Sequence, residues 1–203
     1  MERVIAYIDG FNLYFGLKSK NWKKYLWLNL KALAERLLQP NQNLVFTKYF
    51  TAKVIKSPGK ERRQSSFIKA LETLTDFKIF YGKYQLNPRS CIKCNFIDYV
   101  PNEKMTDVNI AVEMLSDAFQ DEFDTALLIS ADSDLAPVVR AIKKLFPNKR
   151  IVAAFPPVRH SFELTDCVDA YLRIGRSVIA QSTFPEKVKR PDGYILKCPK
   201  EWK

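Results

Sequence analysis

The feature that most limits the fold of this 203-residue chain is a short apolar run that stops at acidic residues. Leu127–Ile129 is followed by Ser130-Ala131-Asp132-Ser133-Asp134. A short, uninterrupted apolar run is typical of a strand that is buried on both faces of a parallel sheet. Asp132 then follows the carboxyl end of the strand, where open α/β sheets bind their ligands. The alternative is a turn and a helix cap without chemistry.

A second run of the same kind lies near the N-terminus. Val4–Ile8 is apolar and ends at Asp9-Gly10-Phe11-Asn12. Gly10 allows a sharp turn of the backbone, and the amide of Asn12 can hydrogen-bond to groups near the turn. Asp9 is therefore expected to follow a strand in the same way as Asp132.

A third acid lies where a helix is expected to begin. Apolar residues recur with helical spacing from Val108 to Phe119, and Thr106 and Asp107 precede or open this pattern. An acid at a helix N-terminus is stabilised by the helix dipole and by free N–H groups. Asp107 is thus a candidate ligand, although an aspartate here is also among the commonest helix caps.

Strand and helix patterns alternate along most of the chain, which predicts a parallel sheet with helices on both faces. The other predicted strands cover residues 44–53, 77–86, 149–155 and 170–174, and the other predicted helices cover 13–17, 30–38, 60–75, 137–145 and 159–164. The length suits one domain. We expect it to span residues 1–180 with a loop insertion at 87–101, followed by a tail at 181–203 that packs on the domain.

The predicted sheet brings the carboxyl ends of its strands to one edge. Asp9 and Asp132 become neighbours there if their strands are adjacent, and Asp107 can approach the same edge. Carboxylates crowded in this way repel one another unless a cation offsets their charge. Hard oxygen ligands favour Mg²⁺ or Mn²⁺. Such an ion can activate water for attack on a phosphodiester.

The charge balance favours a polyanionic partner. The chain has 33 Lys and Arg against 22 Asp and Glu, a net charge of +11, which suits nucleic acid or an anionic membrane surface. Its apolar runs are too short to predict a membrane span. Basic residues cluster at 18–24, next to Trp22 and Tyr25, and at 48–69. The second cluster contains Lys48, Lys53, Lys56, Lys60, Arg62, Arg63 and Lys69. Both clusters fit either a solvated surface or phosphate contacts.

The cysteine pattern predicts a reducing compartment. Four cysteines in a chain of this length, without a signal-peptide pattern, favour the cytoplasm. Cys91 and Cys94 form a Cys-x-x-Cys motif, but a zinc ribbon needs a second matching pair. A zinc ion shared across a homodimer stays open as an alternative. The pattern favours a loop with reduced thiols.

Three motifs together resemble the NYN domain family, which belongs to the PIN-like nuclease superfamily and includes the LabA-like proteins. They are Tyr7-Ile8-Asp9-Gly10-Phe11-Asn12-Leu13, Lys104-Met105-Thr106-Asp107-Val108 and Ser130-Ala131-Asp132-Ser133-Asp134-Leu135. They occur in the family's order, and the resemblance extends over residues 1–175. It implies a PIN-like, three-layer α/β/α sandwich with a mainly parallel central sheet. It also implies a metal-dependent endoribonuclease.

The resemblance also implies roles for single residues. Asp9, Asp107 and Asp132 would bind Mg²⁺ or Mn²⁺, Asp134 would support them, and Asn12 would line the site. Lys104 would lie beside the scissile phosphate of RNA, and Ser130 matches a small hydroxyl position near such sites. The predicted RNA contacts are Lys104, Arg62, Arg63 and Ser130. A non-catalytic RNA- or nucleotide-binding regulator and a DNA-directed nuclease stay open as alternatives.

Overall fold

The structure is a computed structural model that describes residues 1–55, 57–90, 92, 94 and 96–203, with the backbone alone described at 86, 87 and 98–103. The strands are β1 (Glu2–Asp9), β2 (Gln42–Thr51), β3 (Phe77–Tyr81), β4 (Lys83–Ser90), β5 (Ile97–Lys104), β6 (Thr125–Ile129), β7 (Arg150–Phe155), β8 (Ala170–Arg173), β9 (Lys187–Lys189) and β10 (Ile195–Lys197). The helices are α1 (Gly10–Ser19), α2 (Leu30–Glu35), α3 (Pro58–Leu71), α4 (Thr106–Phe119), α5 (Ala136–Leu145), α6 (Phe162–Thr165) and α7 (Arg176–Gln181). Among the described residues, none of the helices combines the length and the apolarity that crossing a bilayer requires.

The central sheet has six strands in the order β3-β2-β1-β6-β7-β8, and each neighbouring pair is parallel. From β1 the chain adds β2 and β3 on one side of the sheet and then adds β6, β7 and β8 on the other side. The strand order therefore switches direction between β1 and β6, where Ile8 pairs with Ile129. Open α/β sheets bind ligands outside the carboxyl ends of strands at such a switch point. The predicted α/β fold with a mainly parallel sheet is confirmed, and the site expected from the two apolar runs falls at the switch point.

The side chains of β1 alternate between two apolar cores, one on each face of the sheet. Val4, Ala6 and Ile8 pack with residues of α1, α2 and α3, whereas Ile5 and Tyr7 pack with residues of α4 and α5. Successive side chains of a strand point to opposite faces, so a strand covered on both sides is apolar throughout. This arrangement gives the three layers of the predicted sandwich.

A buried ionic network holds α4 against the sheet. Lys48 Nζ lies 2.6 Å from Glu113 Oε2 and 2.7 Å from Asp117 Oδ2, and the Tyr7 hydroxyl donates a 2.5 Å hydrogen bond to the same Asp117 carboxylate. Burial of charged groups is tolerated here because they are paired and hydrogen-bonded. The network joins β1, β2 and α4, and so fixes the helix that carries Asp107. Lys48 is consequently unavailable for the phosphate contacts that its basic cluster suggested.

The region predicted as a third strand and a loop insertion has a different structure. The predicted strand 77–86 divides into β3 and β4, and much of the predicted loop belongs to the antiparallel pair β4–β5. A two-stranded sheet tolerates Pro88 and Pro101 because each of its strands has an unpaired edge. Cys91 lies outside the described residues. Both the predicted loop with reduced thiols and the alternative of a zinc ion at Cys91 and Cys94 therefore stay untested.

The predicted tail contributes apolar side chains to the core between the sheet and helices α1–α3. Phe184, Val188 and Leu196 are buried among residues of the α1–α3 face, and β9 and β10 form an antiparallel pair. The Trp27 indole Nε1 also donates a 2.8 Å hydrogen bond to the carbonyl of Pro185. The domain boundary at residue 180 stays a prediction.

Candidate metal centre

Asp9 is the last residue of β1 and the N-cap of α1. Its Oδ1 accepts a 3.0 Å hydrogen bond from the backbone N–H of Asn12, and its Oδ2 accepts a 2.8 Å hydrogen bond from the hydroxyl of Ser130. The residue is 3% exposed. Because a buried carboxylate is costly without hydrogen bonds, these two bonds stabilise it and fix its orientation.

Asp132 is held by the loop that follows β6. Its backbone N–H donates a 3.1 Å hydrogen bond to Ser130 Oγ, and its Oδ1 accepts a 3.1 Å hydrogen bond from the N–H of Asp134. Asp132 thereby caps the 3₁₀ turn Ser133–Leu135. The cap proposed as the alternative to a site is real. It orients the same carboxylate that faces Asp9, so capping and ligand binding are compatible.

Asp107 lies in the first turn of α4, which begins directly after β5. Met105, the residue before the helix, has φ 77°, in the left-handed region that side chains other than glycine rarely adopt. Strain of this kind persists where the surroundings over-determine the backbone, and it is frequent at functional sites. Here it turns the chain so that the N-terminal end of α4 points toward the sheet edge.

The three carboxylates meet at the switch point. One oxygen from each of Asp9, Asp107 and Asp132 lies within 4.8 Å of the other two. The metal ligands predicted from strand ends and a helix start are thus brought together. An all-oxygen donor set with carboxylates contributed by three separate segments suits a hard divalent cation, and so these residues could hold such an ion.

A cavity of about 200 Å³ opens over the three carboxylates. Its lining residues are Asp9, Phe11, Asn12, Phe15, Asp107, Asp132 and Arg159. The predicted Asn12 therefore lines the site, and its Oδ1 accepts a 3.2 Å hydrogen bond from the backbone N–H of Ala131. Asn12 thus joins the first turn of α1 to the loop after β6, which keeps the two acid-bearing segments in register.

Arg159 is a site residue that sequence reasoning missed. β7 ends at Phe155, and the turn Pro156-Pro157-Val158 then carries Arg159 to the cavity. The turn is closed by a 3.0 Å hydrogen bond from the Arg159 N–H to the Pro156 carbonyl. Val158 has φ 57°, which is unusual for a β-branched residue. One signal in the sequence could have identified Arg159. It follows the end of a buried strand, and residues after strand ends lie at the edge of the sheet where ligands bind.

Two glycines allow the close packing around the site. A Cβ on Gly10 would lie 2.6 Å from the Phe50 carbonyl and 2.7 Å from the Tyr49 hydroxyl, and one on Gly16 would lie 2.9 Å from the Pro157 carbonyl. Gly10 does not adopt a positive φ, so close approach and not a sharp turn explains this glycine. Gly16 lets α1 pack against the turn that carries Arg159.

Tyr49 is buried, and its ring and hydroxyl pack against Gly10. Removal from water raises the pKa of its phenol to about 12, an effect that the charge of Asp9 adds to and a hydrogen bond with Thr51 opposes. Tyr49 lies on β2, next to Ile8 of β1. The phenol therefore stays neutral beside the carboxylate at physiological pH.

Other predicted site residues lie outside the carboxylate group. Asp134 is exposed, and its backbone N–H, not its side chain, contacts Asp132. Ser130 is fully buried, and its hydroxyl positions Asp9 and Asp132. Its contact with RNA stays a prediction. Asp134 as a supporting catalytic residue stays a prediction.

The predicted basic contacts are dispersed. Arg63 pairs with Glu201 at 2.7 Å, and Arg159, not Arg62 or Arg63, lines the cavity. Lys104 is exposed at the end of β5. Lys56 lies outside the described residues. The cluster at 48–69 thus does not form one free basic surface, because Lys48 and Arg63 are already paired with acids.

Comparisons with known proteins agree with this architecture. The model of the NYN domain family matches residues 3–174. The chain is 28% identical over 177 residues to 6-hydroxy-3-succinoylpyridine 3-monooxygenase HspA of Pseudomonas putida, an alignment that covers 70% of this chain and 55% of that protein. The chain thus spans about half the length of this curated relative.

A crystal structure of similar fold comes from Vibrio parahaemolyticus. It is that of a protein of unknown function, with a TM-score of 0.56 and 18% sequence identity, and the match covers 86% of this chain and 94% of that one. At this level of identity the similarity concerns the fold alone.

Proposed function

The chain belongs to the NYN domain family, and we propose that it is a metal-dependent endoribonuclease that hydrolyses RNA phosphodiester bonds. The observation that carries the proposal is the meeting of Asp9, Asp107 and Asp132 within 4.8 Å at the sheet switch point. A site that only bound a polyanion would gain little from three crowded carboxylates, because their charge repels phosphate.

The donor atoms suit Mg²⁺ or Mn²⁺ held by the three aspartates. When bound, such an ion supplies Lewis acidity toward the phosphate and lowers the pKa of a coordinated water. The residues of the chain hold the carboxylates in fixed positions. Ser130 and Asn12 hold the two acid-bearing loops in register, so the carboxylates need little reorganisation when a cation binds.

Arg159 supplies positive charge to the same cavity. A guanidinium donates several hydrogen bonds in a fixed plane that matches two oxygens of a phosphate. From its place in the same cavity as the carboxylates, it can bind the phosphodiester and stabilise the negative charge that develops during attack. The site thus combines anionic ligands for a cation with one cationic group for the substrate.

Monooxygenation is a second candidate, because the Pseudomonas putida relative is named as a monooxygenase of a hydroxylated succinoylpyridine. The aromatic rings of Phe11 and Phe15 on the cavity wall suit a flat heterocycle. The three carboxylates favour hydrolysis, since iron sites that activate oxygen usually include imidazole ligands and the described cluster consists of aspartates. RNA is the proposed partner, and a cytoplasmic location and a homodimer stay predictions.

Cleavage of matched RNA and DNA oligonucleotides tests the proposal. The purified chain is incubated with each strand in Mg²⁺, in Mn²⁺ and in chelator, alongside Asp9→Asn, Asp132→Asn and the exposed control Asp192→Asn. We expect RNA cleavage that needs the metal, persists in the control and falls at least about a hundredfold in both site variants. Circular dichroism checks that the variants fold.

Each other outcome identifies a different function. Metal-independent cleavage, or cleavage that both site variants retain, would contradict the proposed site. RNA binding without turnover would favour a regulator, and equal cleavage of DNA would favour a DNA-directed nuclease. Metal binding by wild type, lost in Asp9→Asn and Asp132→Asn, can be followed independently through the electron paramagnetic resonance signal of Mn²⁺.

A further inference from the structure

One face of α1 presents aromatic rings that the core does not use. Phe11, Tyr14 and Phe15 lie outside the buried face of this helix. The buried residues of α1 are Gly10, Leu13, Gly16 and Leu17. Tyr14 is 37% exposed and Phe15 is 43% exposed. Burial in the core therefore does not account for these rings, and two of them, Phe11 and Phe15, line the cavity that contains the carboxylates.

The rings are ordered by contacts with one another. Phe11 and Phe15, one helical turn apart, stack with ring centroids 6.5 Å apart and planes 26° apart. Phe11 also meets the edge of Tyr84 at 5.9 Å and 83°. Phe11 is thus held from two sides, and it supports Phe15, which stays partly exposed. Both phenylalanines line the cavity that contains the carboxylates.

Positive charge continues from the rings along the chain. Lys18 Nζ lies 5.9 Å from the centroid of the Phe15 ring. Lys20, Lys23 and Lys24 follow the end of α1 and are exposed. An aromatic surface next to lysines offers a stacking partner for a base together with partners for the adjoining phosphates.

We infer that Phe15, supported by Phe11, stacks on an unpaired base of the RNA, next to the phosphodiester that Arg159 and the metal site would bind. The identity of the strand rests on the proposed function. In a duplex both faces of each base are covered by its neighbours, so a side chain can stack only on a base that is unpaired or turned out. The lysines at 18–24 then contact the phosphates on one side of the cleavage position.

Binding of labelled oligonucleotides tests the inference without relying on cleavage. Fluorescence anisotropy is measured in the Asp132→Asn background with a single-stranded RNA, the same sequence as a duplex, and a strand whose central bases are replaced by abasic spacers. Phe15→Ala is expected to weaken binding of the single strand about 5- to 150-fold, the range of one lost base–aromatic stack. The duplex and the abasic strand should lose little, and Phe15→Trp should restore affinity.

Phe119→Ala is the matched control. Phe119 is 79% exposed at the far end of α4, twelve residues or about 18 Å of helix from Asp107. Its removal deletes an exposed phenyl ring of the same size away from the cavity. Unchanged affinity in this variant shows that the effect of Phe15→Ala does not come from general loss of apolar surface.

The outcomes separate this inference from the proposed nuclease activity. Equal binding of single strand, duplex and abasic strand, or binding that Phe15→Ala leaves within twofold, would overturn the stacking role even in an active nuclease. Phe15-dependent binding of the single strand by a chain that cleaves nothing would uphold stacking and refute the nuclease. Binding of a pyridine carboxylic acid with no affinity for RNA would overturn the assignment of the platform to nucleic acid.

Discussion

The hydroxyl of Ser130 donates a hydrogen bond of 2.8 Å to Asp9 Oδ2, joining the ends of two adjacent parallel strands across 121 positions of sequence. The same oxygen of Ser130 accepts a 3.1 Å hydrogen bond from the backbone N–H of Asp132. One buried hydroxyl therefore sets the positions of two of the three clustered carboxylates. Groups that orient metal ligands commonly change metal affinity tenfold or more when removed.

Ser130→Ala is expected to weaken Mn²⁺ binding about 10- to 100-fold, because the Asp9 carboxylate loses a donor and the backbone N–H of Asp132 loses its acceptor. Titration followed by calorimetry or by the Mn²⁺ resonance signal measures the change. Ser133→Ala, at an exposed position three residues later, is the matched control. Equal affinities in wild type and Ser130→Ala would show that Ser130 does not organise the site.

Arg159→Ala is expected to lower kcat about 100- to 1,000-fold, the usual effect of losing one donor that stabilises developing charge. Metal affinity should stay the same or rise, since a positive charge leaves the cation site. Arg150→Ala is the control, because Arg150 lies at the opposite end of β7 and is exposed. A fall in metal affinity that accounts for the whole loss of activity would contradict a direct role toward phosphate.

Gly16→Ala is expected to destabilise the chain by about 1–3 kcal/mol, the cost of overpacking a close contact. The added Cβ would lie 2.9 Å from both Pro156 Cβ and the Pro157 carbonyl, so α1 and the Arg159 turn must separate. Urea denaturation measures the loss. Gly59→Ala, whose Cβ would meet the flexible Arg63 side chain at 3.4 Å, should be neutral or stabilising. Equal stability of the two variants would refute the close packing.

The raised pKa of the buried Tyr49 phenol predicts that the folded chain loses stability at alkaline pH. Burial raises the pKa of the folded phenol to about 12, so above pH of about 10 the unfolded chain releases this proton before the folded chain does. The free energy of unfolding should therefore fall by about 1.4 kcal/mol per pH unit from this group between pH of about 10 and 12. Its contribution is fully present below pH 10.

Tyr49→Phe removes this titration and should flatten the alkaline fall. Denaturant unfolding at a series of pH values compares it with wild type and with Tyr194→Phe, a change at an exposed ring. The free energy of unfolding of wild type should fall relative to that of Tyr49→Phe between pH of about 10 and 12, and the two should run parallel below that range. A constant difference across the series would mean that Tyr49 titrates alike in the folded and unfolded chains.

Local patterns in the sequence predicted the parallel sheet and the three clustered acids. Val4–Ile8 and Leu127–Ile129 are apolar throughout because strands covered on both faces need apolar residues at every position. Asp107 was found because a helix start has its own signal in capping and periodicity. These features depend on neighbouring residues in the sequence, and so they can be predicted without knowing how distant segments pack together.

Other features carried misleading or weak local signals. The stretch 87–101 suggested a loop insertion, although much of it belongs to the antiparallel pair β4–β5. The positive charge of Lys48 suggested a phosphate contact, but Glu113 and Asp117 on α4 bind it inside the fold. The choice of partner depended on how α4 packs across β1 and β2, which is not encoded near Lys48.

The sequence by itself determined where β1 and β6 end, where α4 begins and which face of the sheet their apolar residues cover, since these properties arise from local periodicity and burial. Only the tertiary structure decided that β1 lies beside β6, that Ser130 is directed to Asp9, and that Arg159 and Phe15 share a cavity with the three acids. The physical reason is that strand order and helix packing are set by the summed burial of distant surfaces, whereas a single charged or aromatic side chain has the same local signature on a solvated face as in a site.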